Sequence, residues 1–229
     1  MAFDPNKYKP KGIKKLPVLL LLDVSGSMDG KKIVELHDAV VEMINSYVEM
    51  KKRERVIEVA IITFGAEVRL YTEFTPVDDL QKNGIPQFPA RGNTPLGMAL
   101  TAAKDLLEDP QLTPQGNYRP AVVLVSDGEP NDEWRNPLED FISSGRSSKA
   151  QRFSVAIGVE ADRAMLRLFA QDDDAMFFAN NVGDLAEAFK VISSKSVSNS
   201  NVGAVKPVPT AAGTNAGQSV QPVEDEDQW

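Results

Sequence analysis

The sequence predicts an α/β protein, a Rossmann-like three-layer domain with a mostly parallel central sheet and one antiparallel edge strand. Two runs of consecutive apolar residues, 17–22 and 121–125, are typical of parallel strands that are buried on both faces. Segments with the apolar spacing of helices alternate with strand-like segments along the chain, as in a doubly wound sheet. Residues 67–74 instead alternate between apolar and polar side chains, which predicts a strand at the edge.

The elements of the first half follow in the order that such a sheet requires. After the first buried strand, apolar residues recur at helical spacing over 33–48, and a strand is predicted over 56–64. A tight turn leads from that strand into the edge strand. Residues 76–93 have the glycine, proline and asparagine content of a loop, and a helix that opens at Pro95 follows.

The second half continues the alternation. Its predicted elements are, in order, a helix over 137–148, a strand over 153–159, a helix over 162–170, a strand over 175–178 and a helix whose apolar face ends at Ile192. Asp162 stands at the expected N-cap of the middle helix.

Three parts are predicted along the chain. A basic segment (residues 1–15) precedes the folded domain (residues 16–194), and an acidic tail (residues 195–229) follows it. The tail has no apolar period and ends in a run of acidic residues, so we expect it to be disordered. Its simplest role is to keep the protein in solution, with docking to a partner as the alternative.

The lysine-rich start followed by an apolar run imitates a secretory signal. Pro17 and Asp23 bracket the run, however, and no small-residue cleavage site follows it, so a buried strand is the better interpretation. No other stretch has the roughly 20 apolar residues that a membrane-spanning helix needs. We therefore expect a soluble, cytoplasmic protein without a membrane partner.

Composition excludes several classes of function. The formal net charge is −8, from 25 basic and 33 acidic residues, and no basic patch with interleaved aromatic residues is present, so nucleic acid is not an expected partner. The chain has no cysteine, which excludes disulfides, thiolate nucleophiles and zinc–thiolate sites.

Each buried strand ends at a cluster of oxygen-bearing residues. Asp23, Ser25 and Ser27 follow the first strand at a spacing of two, with Gly26 allowing a tight turn, and Asp127 follows the second. If the two strands are neighbours, these side chains meet in the crevice at the carboxyl end of the sheet. Hard oxygen donors suit Mg²⁺ or Mn²⁺ rather than Zn²⁺.

The motif around these residues resembles the metal-ion-dependent adhesion site (MIDAS) of the von Willebrand factor A domain family, over roughly residues 15–194. The resemblance implies that Ser25, Ser27 and Thr94 ligate an ion through their hydroxyls, while Asp23 and Asp127 act largely through bound waters. An acidic side chain from a partner protein would complete the coordination. The implied function is a non-catalytic interaction module that depends on Mg²⁺, or alternatively on Mn²⁺ or Ca²⁺.

Three segments are similar to the TerY group of bacterial tellurite-resistance-associated proteins, namely 16–18, 91–97 and 126–132. This resemblance implies a cytosolic adaptor with kinase or phosphatase partners in stress or phage defence.

Simpler interpretations exist for each candidate. The aspartates and serines could be strand ends and turn formers, Thr94 could be only a helix N-cap, and Asp132 a solvated loop acid. Trp134 could anchor a partner or pack on its own helix.

The sequence leaves two other functions open. One is a Mg²⁺-dependent phosphotransferase or hydrolase, and the other is a subunit of an AAA+ ATPase complex. Against catalysis, the chain has no Walker loop, and its single histidine, His37, lies within the first helix.

Overall fold

A computed structural model describes residues 13–50 and 55–200 of the chain. In this part six strands form one sheet in the order β3-β2-β1-β4-β5-β6, and every neighbouring pair is parallel except β2 with β3. The strands are β1 (Lys14–Asp23), β2 (Arg55–Phe64), β3 (Val68–Pro76), β4 (Ala121–Ser126), β5 (Gln151–Ile157) and β6 (Met176–Ala179). The predicted fold class, including the antiparallel edge strand, is confirmed.

Helices cover both faces of the sheet and complete the three layers. One core lies beneath α1, α2 and α6, and the other lies beneath α3, α4 and α5. The helices are α1 (Lys31–Met50), α2 (Val77–Asn83), α3 (Leu96–Glu108), α4 (Arg135–Ser143), α5 (Arg163–Ala170) and α6 (Val182–Asn199). No helix in the described ranges is long and apolar enough to span a membrane.

The central strand β1 shows why an uninterrupted apolar run forms a strand here. Leu20 and Leu22 point into the core beneath α1 and α6, whereas Leu19 and Leu21 point into the opposite core. All four side chains are fully buried. Because helices cover both faces of β1 from Leu16 to Leu22, every position in that stretch favours an apolar side chain.

The strand order creates a crevice at the carboxyl end of the sheet. From β1 the chain continues to β2 on one side, and from β4 it continues to β5 on the other side. β1 and β4 are themselves neighbours, with Leu22 paired to Val125. The loops that follow these two strands therefore diverge, and the ends of β1 and β4 form the switch point where α/β proteins bind ligands.

Helix α2 lies inside the segment 76–93, for which a loop was the expectation. Its seven residues bury only Val77 and Leu80 against the domain, too few to produce a recognisable apolar period in the sequence. Two acidic residues in its first turn favour the helix electrostatically.

Helix α4 ends at Ser143, whereas a helix was predicted to reach 148. A left-handed residue, Gly145 (φ +64°), breaks it, and the Glu108 carboxylate of α3 accepts the backbone N–H groups of Arg146 and Ser147 at 2.6 and 3.2 Å. The turn is thus held by a residue 38 positions away along the chain.

Helix α6 continues to Asn199, past residue 194 where the sequence predicts the end of the domain. The extra turn is held by polar contacts that an apolar period cannot reveal, including a 2.9 Å hydrogen bond between the hydroxyls of Tyr47 and Ser196. Most of the predicted basic segment and acidic tail, at 1–12 and 201–229, lies outside the described residues.

Candidate metal centre

The side chain of Asp23 organises the loop that follows β1. Its Oδ1 accepts the backbone N–H of Ser25 at 2.9 Å, and its Oδ2 accepts the hydroxyl of Ser126 at 2.6 Å. Asp23 and Ser126 are fully buried. One carboxylate therefore joins the end of β1 to the end of β4, the neighbouring strand.

Burial raises the pKa of the Asp23 carboxyl above its usual range. Desolvation is the largest cause, and the nearby Asp127 carboxylate adds to it, whereas hydrogen bonds from Ser126 and Ser25 act in the opposite direction. The ionised form of Asp23 is thus incompletely stabilised by the protein, and a cation in the crevice would stabilise it.

Two serines link the β1 loop to the loop after β4. The Oγ atoms of Ser25 and Ser27 lie 3.0 Å apart, and the hydroxyl of Ser27 donates to Oδ1 of Asp127 at 2.7 Å. Ser25 and Asp127 are buried, whereas Ser27 is exposed. The group of polar side chains is therefore open to solvent on the Ser27 side.

The loop that carries Thr94 is fastened to both of these loops through its backbone. The N–H of Gly26 donates to Gly92 O at 2.9 Å, and the N–H of Arg91 donates to Val24 O at 2.8 Å. On the other side, the N–H of Thr94 donates to Oδ1 of Asn131 at 3.2 Å. Three loops thus converge at the carboxyl end of the sheet, each with candidate residues.

Glycine is required at Gly92 rather than at Gly26 in this part of the structure. Gly92 has a φ of +81°, and a Cβ there would lie 2.4 Å from the backbone of Ala66. A Cβ at Gly26 would meet Gly92 O at an ordinary 3.5 Å. The tight turn that the sequence suggests at Gly26 therefore does not depend on glycine.

Asp132, rather than Thr94, caps helix α3. Its carboxylate accepts the backbone N–H groups of Gly97 and Met98, both at 3.0 Å. Thr94 is buried, and the N-cap residue of α3 is Pro95. The capping role considered for Thr94 is thus filled from another loop, and Asp132 is more than a solvated loop acid.

Lys32, in the first turn of α1, also belongs to this site, although no motif in the sequence marks it. Its Nζ lies 2.5 Å from Oδ2 of Asp127, and the Asp127 side chain is fully buried while that of Lys32 is 36% exposed. Its position in the sequence gives one local signal. A lysine at a helix N-terminus is unfavourable with respect to the helix dipole, so a nearby acidic side chain is expected to compensate it.

The donor set fits a hard divalent cation. The four candidate side chains that the hydrogen bonds bring together, Asp23, Ser25, Ser27 and Asp127, offer two carboxylates and two hydroxyls, and among the described residues no group of three or more His, Cys, Asp or Glu is placed to hold a metal. The 3.0 Å separation of the Ser25 and Ser27 hydroxyls is close to the edge of an octahedron with Mg–O distances of about 2.1 Å, which is about 3.0 Å. Oxygen donors of this kind favour Mg²⁺ or Mn²⁺.

Two other candidates serve packing. Trp134 is 8% exposed and lies in the core beneath α3 and α4, with the Arg135 guanidinium 4.7 Å from its ring centre. His37 shares a 2.8 Å hydrogen bond between its Nε2 and Ile85 O, and it packs edge-on against Phe88. The imidazole thus contacts the segment that follows α2 and forms no hydrogen bond with the serines of the site.

Comparisons with known proteins identify relatives of this domain. The family model described as "von Willebrand factor type A domain" matches residues 18–191. Human inter-alpha-trypsin inhibitor heavy chain H4 is 23% identical over 181 residues, which are 74% of this chain and 19% of that protein. Bovine heavy chain H1 is 21% identical over 178 residues, 73% of this chain and 19% of that protein. This chain thus spans about a fifth of the length of these relatives.

Solved structures share the fold at low sequence identity. A von Willebrand factor type A structure from Catenulispora acidiphila has a TM-score of 0.63 and 19% identity, over 80% of this chain and 43% of that one. Proximal thread matrix protein 1 from the mussel byssus, "with zinc occupied MIDAS motif", has a TM-score of 0.62 and 16% identity, over 80% of this chain and 48% of that one. Since the family model covers well over half of the sequence, this chain belongs to the von Willebrand factor type A domain family.

Proposed function

We propose that this protein is a non-catalytic module that binds a protein partner through a divalent cation. The cation would be held at the carboxyl end of the sheet by five side chains, with hydroxyls as direct ligands and carboxylates acting largely through water: Asp23, Ser25, Ser27, Thr94 and Asp127. The observation that carries the proposal is the continuous hydrogen-bonded network that joins four of these side chains and Ser126.

The same network explains why the partner should offer an acidic side chain. Neutral hydroxyls neutralise little of the charge of a bound cation, so an incoming Glu or Asp carboxylate gains a strong charge-assisted contact. Ser27 lies on the solvent-exposed side of the network, which leaves that side open to a partner.

Magnesium is the cation we propose, with Mn²⁺ or Ca²⁺ as alternatives. The donors are hard oxygens, and no histidine or cysteine takes part in the network. The mussel byssus protein carries zinc in its MIDAS motif, which supports a divalent cation at the corresponding place in this fold.

We further propose that the protein is a cytoplasmic adaptor of a TerY-type tellurite-resistance, stress-response or phage-defence system, with a kinase or phosphatase as its partner. The support is the similarity of the segments 91–97 and 126–132 to that group. These two segments lie against each other here, because Thr94 and Asn131 exchange hydrogen bonds of 3.2 Å.

Two side chains support a binding role over a catalytic one. The imidazole of His37 contacts Ile85 O through a hydrogen bond and packs against the ring of Phe88. The carboxylate of Asp132 accepts a backbone N–H in the first turn of α3. Neither is therefore available as a general base beside Ser25 or Ser27, as a hydrolase would require.

The test is calorimetric titration of the full chain with MgCl₂ and with MnCl₂. We expect binding to the wild type, a loss of about 10- to 100-fold in affinity for Asp23→Ala, and unchanged binding for Asp29→Ala. Asp29 is an exposed aspartate of the same loop, so it controls for a general loss of negative charge. Far-UV circular dichroism checks that both variants are folded.

A wild type that binds neither ion at millimolar concentration would contradict the metal site. Partner dependence is then tested by pull-down with and without a chelator, followed by identification of the bound proteins. A partner that is retained in excess chelator argues against the metal-dependent mode.

A further inference from the structure

Lys32 places a positive charge on the candidate metal centre. Its ammonium contacts Oδ2 of Asp127 at 2.5 Å, while Oδ1 of the same carboxylate accepts the hydroxyl of Ser27 at 2.7 Å. Both oxygens of a buried carboxylate are therefore already engaged within the protein. A cation that uses Asp127, directly or through water, has to share this group with Lys32.

The two lysines at the start of α1 differ in what they contact. Lys31 is 81% exposed and pairs with Glu35 at 2.9 Å, one turn along the same helix. Lys32 is 36% exposed and reaches across to the loop after β4, 95 positions away in sequence. Of these two lysines, only Lys32 places its ammonium at the site. Lys31 is a lysine in the same turn that does not contact the site, so a Lys31 variant serves as the control.

The electrostatics of α1 make this placement unfavourable without a negative partner. The first turn of α1 has no acidic residue, so the positive end of the helix dipole and the Lys32 ammonium act on the same region. A divalent cation beside the same carboxylate would lie within a few ångströms of this ammonium, and the two like charges would repel more strongly in this partly buried site than in bulk water.

We propose that Lys32 is an internal counter-cation that competes with the divalent cation for Asp127 and so sets the affinity of the centre. In the ion-free protein its ammonium neutralises the buried carboxylate and keeps the loop after β4 in place. When the divalent cation binds, the ammonium leaves Oδ2, and the partly exposed, flexible side chain of Lys32 moves into solvent. This inference rests on the proposed function, since it assumes a divalent cation at this site.

The test is calorimetric titration of the full chain with MgCl₂ and MnCl₂, comparing the wild type with Lys32→Met and Lys31→Met. We expect Lys32→Met to bind at least about tenfold more tightly than the wild type, because the competing charge is gone while the aliphatic stem is largely kept. Lys31→Met should bind like the wild type.

A thermal readout tests the same inference without relying on binding heats. Without metal, Lys32→Met should have a lower Tm than the wild type, because it leaves the buried Asp127 carboxylate without its cation. With saturating MgCl₂ the variant should gain more in Tm than the wild type does. Lys32→Gln, a more polar replacement, serves as the second variant should Lys32→Met not fold.

The outcomes separate the two proposals. Equal or weaker binding by the Lys32 variants, with clear binding by the wild type, overturns the competition and leaves the metal site standing. Absence of binding in the wild type and in all variants overturns the metal site itself and the competition with it.

Discussion

The two ends of the central sheet both bury polar side chains, but they do so in different ways. At the amino end, Tyr47, Gln151 and Arg55 meet the last turns of α6. The Tyr47 hydroxyl pairs with that of Ser196 at 2.9 Å, and Gln151 Nε2 and Arg55 Nη1 donate to the carbonyls of Ser196 and Val197 at 3.3 and 3.1 Å. These partners belong to the fold itself.

At the carboxyl end the polar groups pair mainly with one another. Asp23, Ser25, Ser27 and Asp127 form a network that contains two carboxylates, and within residues 13–50 and 55–200 the ammonium that contacts it belongs to Lys32. Buried carboxylates that lie near each other raise the free energy of the folded protein unless a cation offsets them. Polar burial at the amino end is thus compensated within the fold, whereas at the carboxyl end it leaves a place for the cation that we propose.

The largest expected effect comes from breaking the backbone that supports the carboxyl end. A Cβ at Gly97 would lie 2.0 Å from the carbonyl oxygen of Glu133, so Gly97→Ala must push α3 away from the loop that follows β4. We expect a loss of about 3 kcal/mol in unfolding free energy, measured by urea denaturation, together with weaker magnesium binding.

Gly26→Ala is the matched control for this variant, since its Cβ makes only an ordinary contact. The steric argument predicts an effect on stability within about 1 kcal/mol. If Gly26→Ala destabilised the protein as much as Gly97→Ala, close packing at α3 would not be the reason.

The amino end should be sensitive to alkaline pH. Burial raises the pKa of Tyr47 from 10.0 to about 12, against the opposing hydrogen bonds of Ser196 and Ser193. The stability that this raised pKa provides is fully present below pH 10 and is lost as the pH rises through about 12, at about 1.4 kcal/mol per pH unit.

Urea denaturation of the wild type and of Tyr47→Phe at pH 9 and pH 11 measures this effect. The wild type should lose stability relative to Tyr47→Phe between the two values, and magnesium affinity at pH 7.5 should be the same in both. An equal change with pH in the two proteins would contradict a role for Tyr47 ionisation.

The smallest expected effect concerns a lysine–acid pair near the amino end of β1. Lys15 contacts Glu58 at 2.8 Å, with the Glu58 side chain 8% exposed and that of Lys15 46% exposed. We expect Lys15→Met to lower the unfolding free energy by about 0.5–1 kcal/mol and to leave magnesium binding unchanged.

Lys15→Met also sharpens the comparison with Lys32→Met. Magnesium should raise the stability of Lys15→Met and of the wild type by the same amount, so that the difference between them stays unchanged, because the pair with Glu58 lies outside the metal site. If magnesium also closed the gap between Lys15→Met and the wild type, the two ends would not differ as we infer.

Local sequence patterns predicted most of the fold but missed elements that depend on distant contacts. The short helix α2, the early end of α4 and the late end of α6 were not predicted. α2 buries too few residues to show a period, Glu108 ends α4 from another helix, and Tyr47 holds the extra turn of α6. For α4 and α6 the contacts with Glu108 and Tyr47 come from other helices, and a pattern read within the segment does not contain them.

The candidate site likewise combines residues that the local sequence identifies with contacts that it does not. Asp23 and the two serines are close in sequence, and their spacing alone indicates oxygen donors on one turn. The contacts of Lys32 and Asp132 with other loops were not predictable, since each partner lies far away along the chain. Ligation by Thr94 stays a prediction, because its loop is positioned through backbone contacts.

The amino-acid sequence by itself determined which segments are buried strands, which of the longer helices cover them and that oxygen-bearing residues follow the two central strands. Those properties are local, because burial on two faces or on one imposes a period on neighbouring residues. Only the tertiary structure decided that β1 lies beside β4, that Asp127 shares its carboxylate between Ser27 and Lys32, and that polar contacts extend α6 to Asn199. These features depend on strand pairing and on contacts between residues that are distant in sequence. The pattern of neighbouring residues does not specify such contacts.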